Sequence, residues 1–328
     1  MNSNLKKLLI LLSDGQFHSG SALGKELQLT RSAIWKLIKH VKNLDIVIEA
    51  KTNQGYKIAQ KFEFLTQNKI THYLQSKYHQ YLSELVIFDE LPSTNSYLTE
   101  SVKTNFKPQI CLAEMQTAGK GRWGRKWISP FARNIYLSVL WQFDKKIEEL
   151  SGLSIAVAVA VAKTLELYGI KHDIGLKWPN DILWQKRKLA GILIEISGES
   201  HHLYNTVIGI GLNVAMPKAV AKKIDQPWAD IAEITKTIPE RNKLVGLLLD
   251  QLFTTLNIYQ QQGIGPFLAS WRKLDVSLNR KITLVTPMQK KIVGIGKGID
   301  TLGQLILEDP CTGKRQTFIS GEVTSRLG

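Results

Sequence analysis

Cysteine is scarce in this sequence, and long hydrophobic runs are lacking. Among 328 residues only Cys111 and Cys311 are cysteines, and they lie far apart and outside any spacing typical of metal ligands. We therefore expect reduced thiols, no disulfide framework and no zinc or other protein-held metal. The longest apolar run covers residues 155–162, well below the roughly 20 residues that a helix needs to span a bilayer. A cytoplasmic protein without membrane attachment is the expectation.

The first residues begin like a signal peptide, but the pattern breaks off early. Their apolar run ends at Ser13 and Asp14 without a small-residue cleavage site. Four leucines recur at helical spacing: Leu5, Leu8, Leu9 and Leu12. This spacing predicts a first helix of the folded protein.

Acidic residues are too few to balance the basic ones. Lysine and arginine number 43 against 28 acidic residues, a formal charge of +15. This excess favours an anionic partner, which could be nucleic acid, nucleotide phosphate or an acidic protein surface. The length and the 44% hydrophobic content predict two or three domains, since single cores rarely grow past about 250 residues.

The first sixty residues have the pattern of a winged helix-turn-helix. A second helix is predicted from a cap at Ser19 or Ser21 to Leu27, and Thr30 can cap a third helix. The third helix carries an apolar stripe of Ile34, Leu37, Ile38, Val41 and Leu44. Two short strands, 46–50 and 56–59, are predicted around a turn in which Gly55 permits a positive φ.

The polar face of this domain is basic. Residues 1–60 contain nine lysines and arginines against four acidic residues. A third helix of this kind can enter the major groove while lysines neutralise phosphates. The candidate DNA-binding residues are Thr30, Arg31, Ser32, Trp35, Lys36, Lys39 and Lys51. The alternatives are a solvated basic face on a protein-binding domain and, for Trp35, a place in the core or an interface.

The middle of the chain is predicted to be an α/β domain. A polar connection and a helix are expected over 62–81, followed by strands at 85–88, 110–116, 135–141, 182–184, 191–197 and 204–212. Two long helices are predicted at 152–168 and 243–261.

A glycine-rich basic segment, 116–127, packs three glycines and four cations into twelve residues. It contains a formal GxGxxG, but residues 128–130 (Ile-Ser-Pro) interrupt the helix that a dinucleotide fingerprint requires. It is no Walker A loop either, because Gly121 stands where Ser or Thr must hold magnesium. We expect a mobile loop in which Arg122 and Arg125 grip phosphate or carboxylate. The alternative is a solvated surface loop.

Two further strings place charges beside predicted strands. In KWPND, Pro179 and Asn180 make a turn that lets Lys177 and Asp181 point into one pocket. A surface ion pair around a turn is the alternative. The second string, RKLAGIL, begins at Arg187 and follows closely.

Together, GKGRWGR, KWPND, RKLAGILIE and Ser93-Thr94-Asn95 after a strand resemble the biotin protein ligases. The winged helix makes the chain similar to the bifunctional members that also repress the biotin operon, and the match covers nearly the whole chain. The resemblance implies an α/β (α+β) protein in three parts: a winged helix-turn-helix at 1–62, a mixed-sheet, class II synthetase-like catalytic domain at 63–270, and an SH3-like barrel at 271–328. Predicted strands at 282–285, 291–297, 303–307 and 316–319 suit that barrel.

The resemblance also implies a reaction and its residues. Biotin's carboxylate attacks the α-phosphate of ATP, and two anions about 4 Å apart repel by about 1 kcal/mol in water and about 4 kcal/mol at an effective dielectric of 20. The implied catalytic residues are Lys188, Arg122, Lys120 and Asp181, with magnesium on the pyrophosphate. The implied biotin-binding residues are Ser93, Thr94, Asn95, Gln116, Lys120, Gly121, Arg122, Lys188, Gly191 and Ile192. For the nucleotide they are Gly119, Arg125, Lys177, Asn180, Asp181, Asn213 and Trp228, of which Trp228 could instead be an ordinary core residue.

The implied partners are the biotin carboxyl carrier protein of a carboxylase, operator DNA and a second copy of the chain when the adenylate is bound. The family loop reads GRGRRGR, whereas this chain has Lys120 and Trp123 at two of its positions. Lysine lacks the planar fork of arginine, so we expect weaker retention of the adenylate. Two alternatives stay open: a ligand-sensing transcription factor without ligase activity, and a lipoate ligase.

Overall fold

We describe the fold from a computed structural model that covers residues 1–59, 61–102, 108–200 and 203–324. Three β-sheets organise these residues: a two-stranded wing, a seven-stranded central sheet and a five-stranded C-terminal sheet. The predicted three-part α+β architecture is confirmed.

The N-terminal part is a winged helix-turn-helix. Its elements are α1 (Ser3–Leu12), α2 (Gly20–Leu27), α3 (Arg31–Lys42), β1 (Ile48–Lys51) and β2 (Gly55–Ile58). The hydroxyl of Ser19 accepts from the Ala22 amide at 3.0 Å and caps α2, while Thr30 caps α3. Gly55 has φ +104°, and a Cβ there would collide with the His18 carbonyl. Both predicted caps and the wing glycine are therefore confirmed.

The central sheet has the order β3-β4-β5-β9-β8-β7-β6. Its strands are β3 (Leu85–Phe88), β4 (Gln109–Ala113), β5 (Ile135–Asp144), β6 (Ile174–Lys177), β7 (Asp181–Trp184), β8 (Arg187–Ser200) and β9 (Leu203–Leu212). Only the β3–β4 pair is parallel among these strands, so the sheet is mixed.

Seven helices accompany this sheet in the described residues: α4 (Gln67–Thr71), α5 (Thr94–Ser101), α6 (Leu153–Tyr168), α7 (Lys218–Ala221), α8 (Ile231–Thr235), α9 (Arg241–Gln262) and α10 (Leu268–Leu274). The two predicted long helices, α6 and α9, pack against each other and supply much of the main core. The segment Ile147–Tyr168 is long and apolar enough to cross a membrane, yet 67% of its apolar window is buried inside the protein. It is a core helix by burial.

The polar connection and helix predicted over 62–81 are present, but the helical part is divided in two. That segment forms the short α4 and a 3₁₀ helix at Ser76–Glu84. Four helices and one strand of the central part were not predicted: α5, α7, α8, α10 and β6. Both cysteines are free; Cys111 is buried, and burial raises the pKa of its thiol to about 12.

The C-terminal part is an antiparallel, SH3-like sheet of β10 (Lys281–Val285), β11 (Lys291–Ile299), β12 (Leu305–Glu308), β13 (Arg315–Phe318) and β14 (Glu322–Thr324). Four of these strands were predicted and β14 was not. Leu284 and Leu305 belong to the same buried cluster as α6 and α9, and the Trp178 indole donates to the Gly303 carbonyl at 3.0 Å. The C-terminal sheet is thus packed onto the central one.

The winged helix also packs onto the catalytic part. Phe131 and Ala132 of the catalytic part lie in the buried cluster that contains the leucines of α1. The guanidinium of Arg241 donates to Glu114 at 2.7 Å and to the carbonyl of Glu63, just after the winged helix. Met115 packs against the same cluster. Residues 114–115 precede the glycine-rich loop and residues 131–132 follow it. The winged helix and the segment just after it therefore contact the chain on both sides of that loop.

Candidate active site

A cleft of about 100 Å³ opens above the central sheet between α5, the glycine-rich loop and strands β8 and β9. All ten residues that the resemblance assigned to biotin line it: Ser93, Thr94, Asn95, Gln116, Lys120, Gly121, Arg122, Lys188, Gly191 and Ile192. The structure brings these residues together, although they are spread over a hundred positions of sequence.

The inner end of the cleft begins at the N-terminus of α5. Ser93 caps the helix, and Thr94 donates its backbone N–H to the Gln116 side-chain oxygen at 2.9 Å. The Gln116 amide donates in turn to the Ser129 hydroxyl at 3.1 Å. Apolar walls come from Leu137 and Ile210. This end combines apolar surface with a few fixed polar groups, as small-molecule pockets usually do.

The glycine-rich loop forms a hydrogen-bonded turn. Gly121 donates its N–H to the Arg125 carbonyl at 2.7 Å, and Trp127 donates to the Gly119 carbonyl at 2.9 Å. Trp123 has a left-handed φ of 55° and lies with its ring 5.3 Å from the Arg122 guanidinium. Trp123, which differs from the family's usual arginine, therefore places an aromatic ring within cation–π distance of Arg122.

Two arginines of the loop contact the C-terminal sheet. Arg122 donates to the Gly321 carbonyl at 3.0 Å. Arg125 forms a bidentate ion pair with Glu322, in which one hydrogen bond measures 2.7 Å. The hydrogen bond from Arg125 lowers the pKa of Glu322, so the pair is ionised at neutral pH. The sequence predicts that both arginines face a ligand; both line the cleft, while one Arg122 nitrogen and two Arg125 nitrogens donate to protein oxygens.

A buried ion cluster lies at the cleft's centre. Lys177 and Asp181 face each other across the β6–β7 hairpin, and their charged atoms are 2.9 Å apart. Lys188 contacts the other Asp181 oxygen at 2.8 Å. Burial alone would raise the pKa of Asp181, but the charges of Lys188 and Lys177 outweigh it, and the net pKa is lowered. The cluster is therefore two cations around one carboxylate.

A second, larger cleft of about 670 Å³ continues from the first. Arg125, Lys188 and Trp127 line both, so the two spaces meet at these residues. Trp228 lines the second cleft, half-buried against Met216 and its neighbours. Its backbone bridges to that of Lys188.

The remaining nucleotide candidates are divided between the clefts. Asn213 lines the second cleft, and its amide donates to the Lys188 and Ala229 carbonyls at 3.3 and 3.2 Å. Asn180 lines the first and donates to the Ile192 carbonyl at 2.6 Å. Gly119 is not among the lining residues; its role is backbone closure of the loop, since a Cβ there would stand 2.5 Å from the Trp127 carbonyl.

Trp127 is a site residue that the sequence motifs did not assign. Its ring lies so close to Gly211 that a Cβ at that position would collide with it. Gly191, which pairs with Gly211 across β8 and β9, also contacts the Trp127 ring. The Lys188 ammonium stands 5.5 Å from the ring centroid. Glycines inside strands mark such close approaches, so two glycines facing each other in predicted strands were the available signal.

The DNA-binding candidates on α3 and the wing are exposed. Arg31, Ser32, Trp35, Lys36 and Lys39 are all exposed on α3, and Lys51 is exposed at the end of β1. Trp35 is 49% exposed, and the Lys39 ammonium lies 3.7 Å from its ring centroid. Trp35 is therefore a surface residue, and the alternative of a core position is ruled out.

Comparisons with known proteins agree with this geometry. The biotin/lipoate A/B protein ligase family model matches residues 87–213, and a helix-turn-helix model matches residues 4–57. The Escherichia coli bifunctional ligase/repressor BirA is 34% identical, covering 98% of this chain and 96% of the relative. The Mycobacterium tuberculosis biotin--[acetyl-CoA-carboxylase] ligase is 32% identical over 61% of this chain and 73% of the relative. The Aquifex aeolicus biotin protein ligase in complex with biotin and ATP has a TM-score of 0.62 at 25% identity, over 74% of this chain and 97% of that chain.

The fold and the two joined clefts thus define a ligase catalytic domain that carries a helix-turn-helix domain. The chain belongs to the family of bifunctional ligase/repressor BirA proteins, which confirms the resemblance seen in the sequence motifs.

Proposed function

We propose that this chain activates biotin with ATP to biotinyl-5'-AMP and then transfers the biotinyl group to a lysine of a biotin carboxyl carrier protein. It is a biotin--[acetyl-CoA-carboxylase] ligase. The observation that carries this proposal is the junction of the clefts, where Lys188 and Asp181 stand between a small polar-ended pocket and a larger one lined by Trp228.

The two clefts suit the two substrates. The inner cleft, with Ser93, Thr94, Asn95 and Gln116 at its end, is assigned to biotin. The outer cleft, with Trp228 and Asn213, is assigned to the adenylate's nucleotide, and an aromatic ring beside it can stack on a base. Biotin's carboxylate then points from the inner cleft towards the junction and meets the α-phosphate there.

At the junction, fixed cations oppose the repulsion between carboxylate and phosphate. Lys188, Lys120 and Arg122 are assigned to this work, because preorganised charges in a partly closed site stabilise developing charge. Magnesium enters with ATP as part of the substrate. Phosphate oxygens and water are its expected ligands, because magnesium in nucleotide sites is bound through substrate phosphates and keeps several waters.

Asp181 is assigned mainly to positioning. Its carboxylate holds both Lys188 and Lys177, and a carboxyl with a lowered pKa is a weak proton acceptor. The acceptor lysine has a free pKa of about 10.4 and must lose a proton before it attacks. Asp181 can assist that step only if the adenylate draws the two lysines away from it.

The winged helix is assigned to transcriptional repression, with the adenylate as corepressor. Adenylate bound under the glycine-rich loop would set the loop for dimer formation, and the dimer would present two copies of α3 to a two-fold operator. The support is the exposed basic face of α3 and the contact of the winged helix with both ends of the loop.

Boundaries at 62 and 270 remain our proposal for the division into domains, and a cytoplasmic location follows from the proposed substrates.

Incubation with ATP, magnesium and radiolabelled biotin, with lipoate in parallel, tests the enzyme. We expect biotinyl-adenylate and then label on a carrier domain. Biotin binding without adenylate would favour the ligand sensor, and activity with lipoate alone would favour the lipoate ligase.

A further inference from the structure

A chain of buried hydrogen bonds runs beneath the inner cleft and ends at a carboxylate. The Asn95 amide nitrogen donates to Glu195 of β8 at 2.7 Å. The Ser138 hydroxyl of β5 is 2.6 Å from the Asn95 amide oxygen and 2.7 Å from the Thr94 hydroxyl. Thr94, Asn95 and Ser138 are each at least 96% buried, since their exposed fractions are 4%, 4% and 0%.

Two acceptors on β8 fix the orientation of Asn95: the Glu195 carboxylate at 2.7 Å and the Leu193 carbonyl, to which the same amide nitrogen donates at 3.3 Å. An ionised carboxylate only accepts hydrogen bonds, so the group of Asn95 that faces it must be the NH₂. The Asn95 carbonyl oxygen then faces Ser138. Gly209 of β9 leaves the room for this amide, because a Cβ at that position would collide with the Asn95 oxygen.

The orientation of Asn95 in turn fixes the direction of the hydroxyl protons. An amide oxygen only accepts, so Ser138 must give its single proton to Asn95. Gln116 is fixed independently, because the Thr94 backbone N–H can only donate and therefore faces the Gln116 oxygen. The Thr94 hydroxyl thus lies between two groups with no proton to give it: Ser138, and Gln116 at 3.2 Å. Its own proton points into the protein.

A Thr94 hydroxyl directed this way offers only lone pairs to the cleft. When a ligand covers this hydroxyl, water can no longer donate to it. The ligand must then donate a hydrogen bond, because a buried polar group without a partner lowers the binding free energy. The cyclic urea of biotin has N–H donors, whereas the dithiolane ring of lipoate has none. We propose that Glu195 is a positioning residue that keeps Thr94 an acceptor and so selects a ligand with an N–H donor. This inference rests on the proposed assignment of the inner cleft to biotin.

Kinetics of adenylate formation test the role of Glu195. Because a hydrogen bond to a charged group is at stake, we expect Glu195→Ala to raise the KM for biotin about 10- to 100-fold. The KM for ATP and the rate of transfer from preformed adenylate should stay at the wild-type values. Glu195→Gln should lie between, since its amide oxygen can still accept from Asn95. Asp144→Asn removes an exposed carboxylate at the end of β5 in the same sheet and is the matched control.

Biotin analogues separate positioning from a merely structural effect. Methylation of the urea nitrogens should raise the KM of the wild type strongly. Glu195→Ala should reduce that penalty, because Asn95 then keeps only its longer hydrogen bond to the Leu193 carbonyl at 3.3 Å, and Thr94 is held less firmly as an acceptor. Desthiobiotin keeps the urea, so its KM relative to biotin should be the same in both proteins. An unchanged KM for biotin in Glu195→Ala, or an unchanged methylation penalty with a lower Tm, would overturn the role of Glu195. A wild-type enzyme that activates lipoate and not biotin would overturn the proposed function itself.

Discussion

At the scale of single residues, Asp181 shows how a carboxylate stays ionised in a nearly closed site. Burial opposes ionisation, but two lysines at 2.8 and 2.9 Å reverse the balance and lower the pKa from its ordinary 3.8. A depressed carboxyl pKa stabilises the fold above the unfolded value, and the stabilisation is lost as pH falls through the folded value. Asp181 is therefore ionised at neutral pH and is protonated only below its ordinary pKa, where the two lysines are left without a counter-charge.

The first prediction concerns Asp181→Asn. The amide can no longer hold two ammonium groups, so Lys188 and Lys177 lose their fixed positions. We expect adenylate formation to slow about 10- to 100-fold, since hydrogen bonds between charged groups are at stake. Pyrophosphate exchange measures this step, and single-turnover transfer of preformed adenylate measures the second. Equal slowing of both steps would exclude a specific base role for Asp181.

Individual site residues were predictable where a motif carried them. Lys177 and Asp181 flank a turn whose pattern predicts one pocket, and the family resemblance adds Lys188. The structure brings the three together. Trp127 and Glu195 were not predicted, because their partners are set by the register of β8 with β9 and by the approach of α5. Such contacts join positions about 100 residues apart, and no local pattern specifies them.

At the scale of elements, the long periodic segments were the ones predicted well. Helices α6 and α9 have 16 and 22 residues and lie where the apolar pattern placed them. Strand β14 has three residues, too few for alternation to be read, yet it carries Glu322. Over 67–84 the chain forms the short α4 and then a 3₁₀ helix at Ser76–Glu84, and in such short helical segments the sequence pattern does not distinguish 3.0 from 3.6 residues per turn.

The contact between the glycine-rich loop and β14 gives the second prediction. Glu322→Gln removes the charge that Arg125 faces, and the pair is partly exposed, so the effect should be modest. We expect amide hydrogen exchange over residues 119–127 to accelerate about two- to fivefold. Glu308→Gln, which disturbs ion pairs with Lys297 and Arg315 inside the C-terminal sheet, is the matched control. No change in loop exchange relative to that control would show that β14 does not hold the loop.

At the scale of the whole molecule, the winged helix and the active site share a buried connection. Glu114 and Arg241 are 1% and 3% exposed and form an ion pair of 2.7 Å. Glu114 also accepts from the Leu65 amide, and Arg241 donates to the Glu63 carbonyl, so the segment after the winged helix is bound to the strand that leads into the loop. The shared core at Phe131 binds the loop's other end. A change in the loop can therefore reach the winged helix through packed contacts.

The third prediction follows from this connection. Purified protein should bind a palindromic operator cooperatively when biotin and ATP are present and much more weakly without them, because the adenylate sets the loop and the loop contacts the winged helix. The face of α3 is basic, so the affinity should fall steeply with salt; each phosphate contact contributes a slope of about −0.9 in log K against log salt. Lys51→Ala should reduce the magnitude of the slope by about 2 for a dimer.

Lys163→Ala, on α6 and paired with Glu166 far from α3 along the chain, serves as the control for loss of one positive charge and should leave the slope unchanged. Electrophoretic mobility shifts over a salt series measure both quantities. Equally tight binding with and without biotin and ATP would contradict control by the adenylate, while an unaltered slope in Lys51→Ala would remove the wing from the DNA contact. The two results are independent, so the salt slope tests which surface contacts DNA, and the dependence on biotin and ATP tests control by the adenylate.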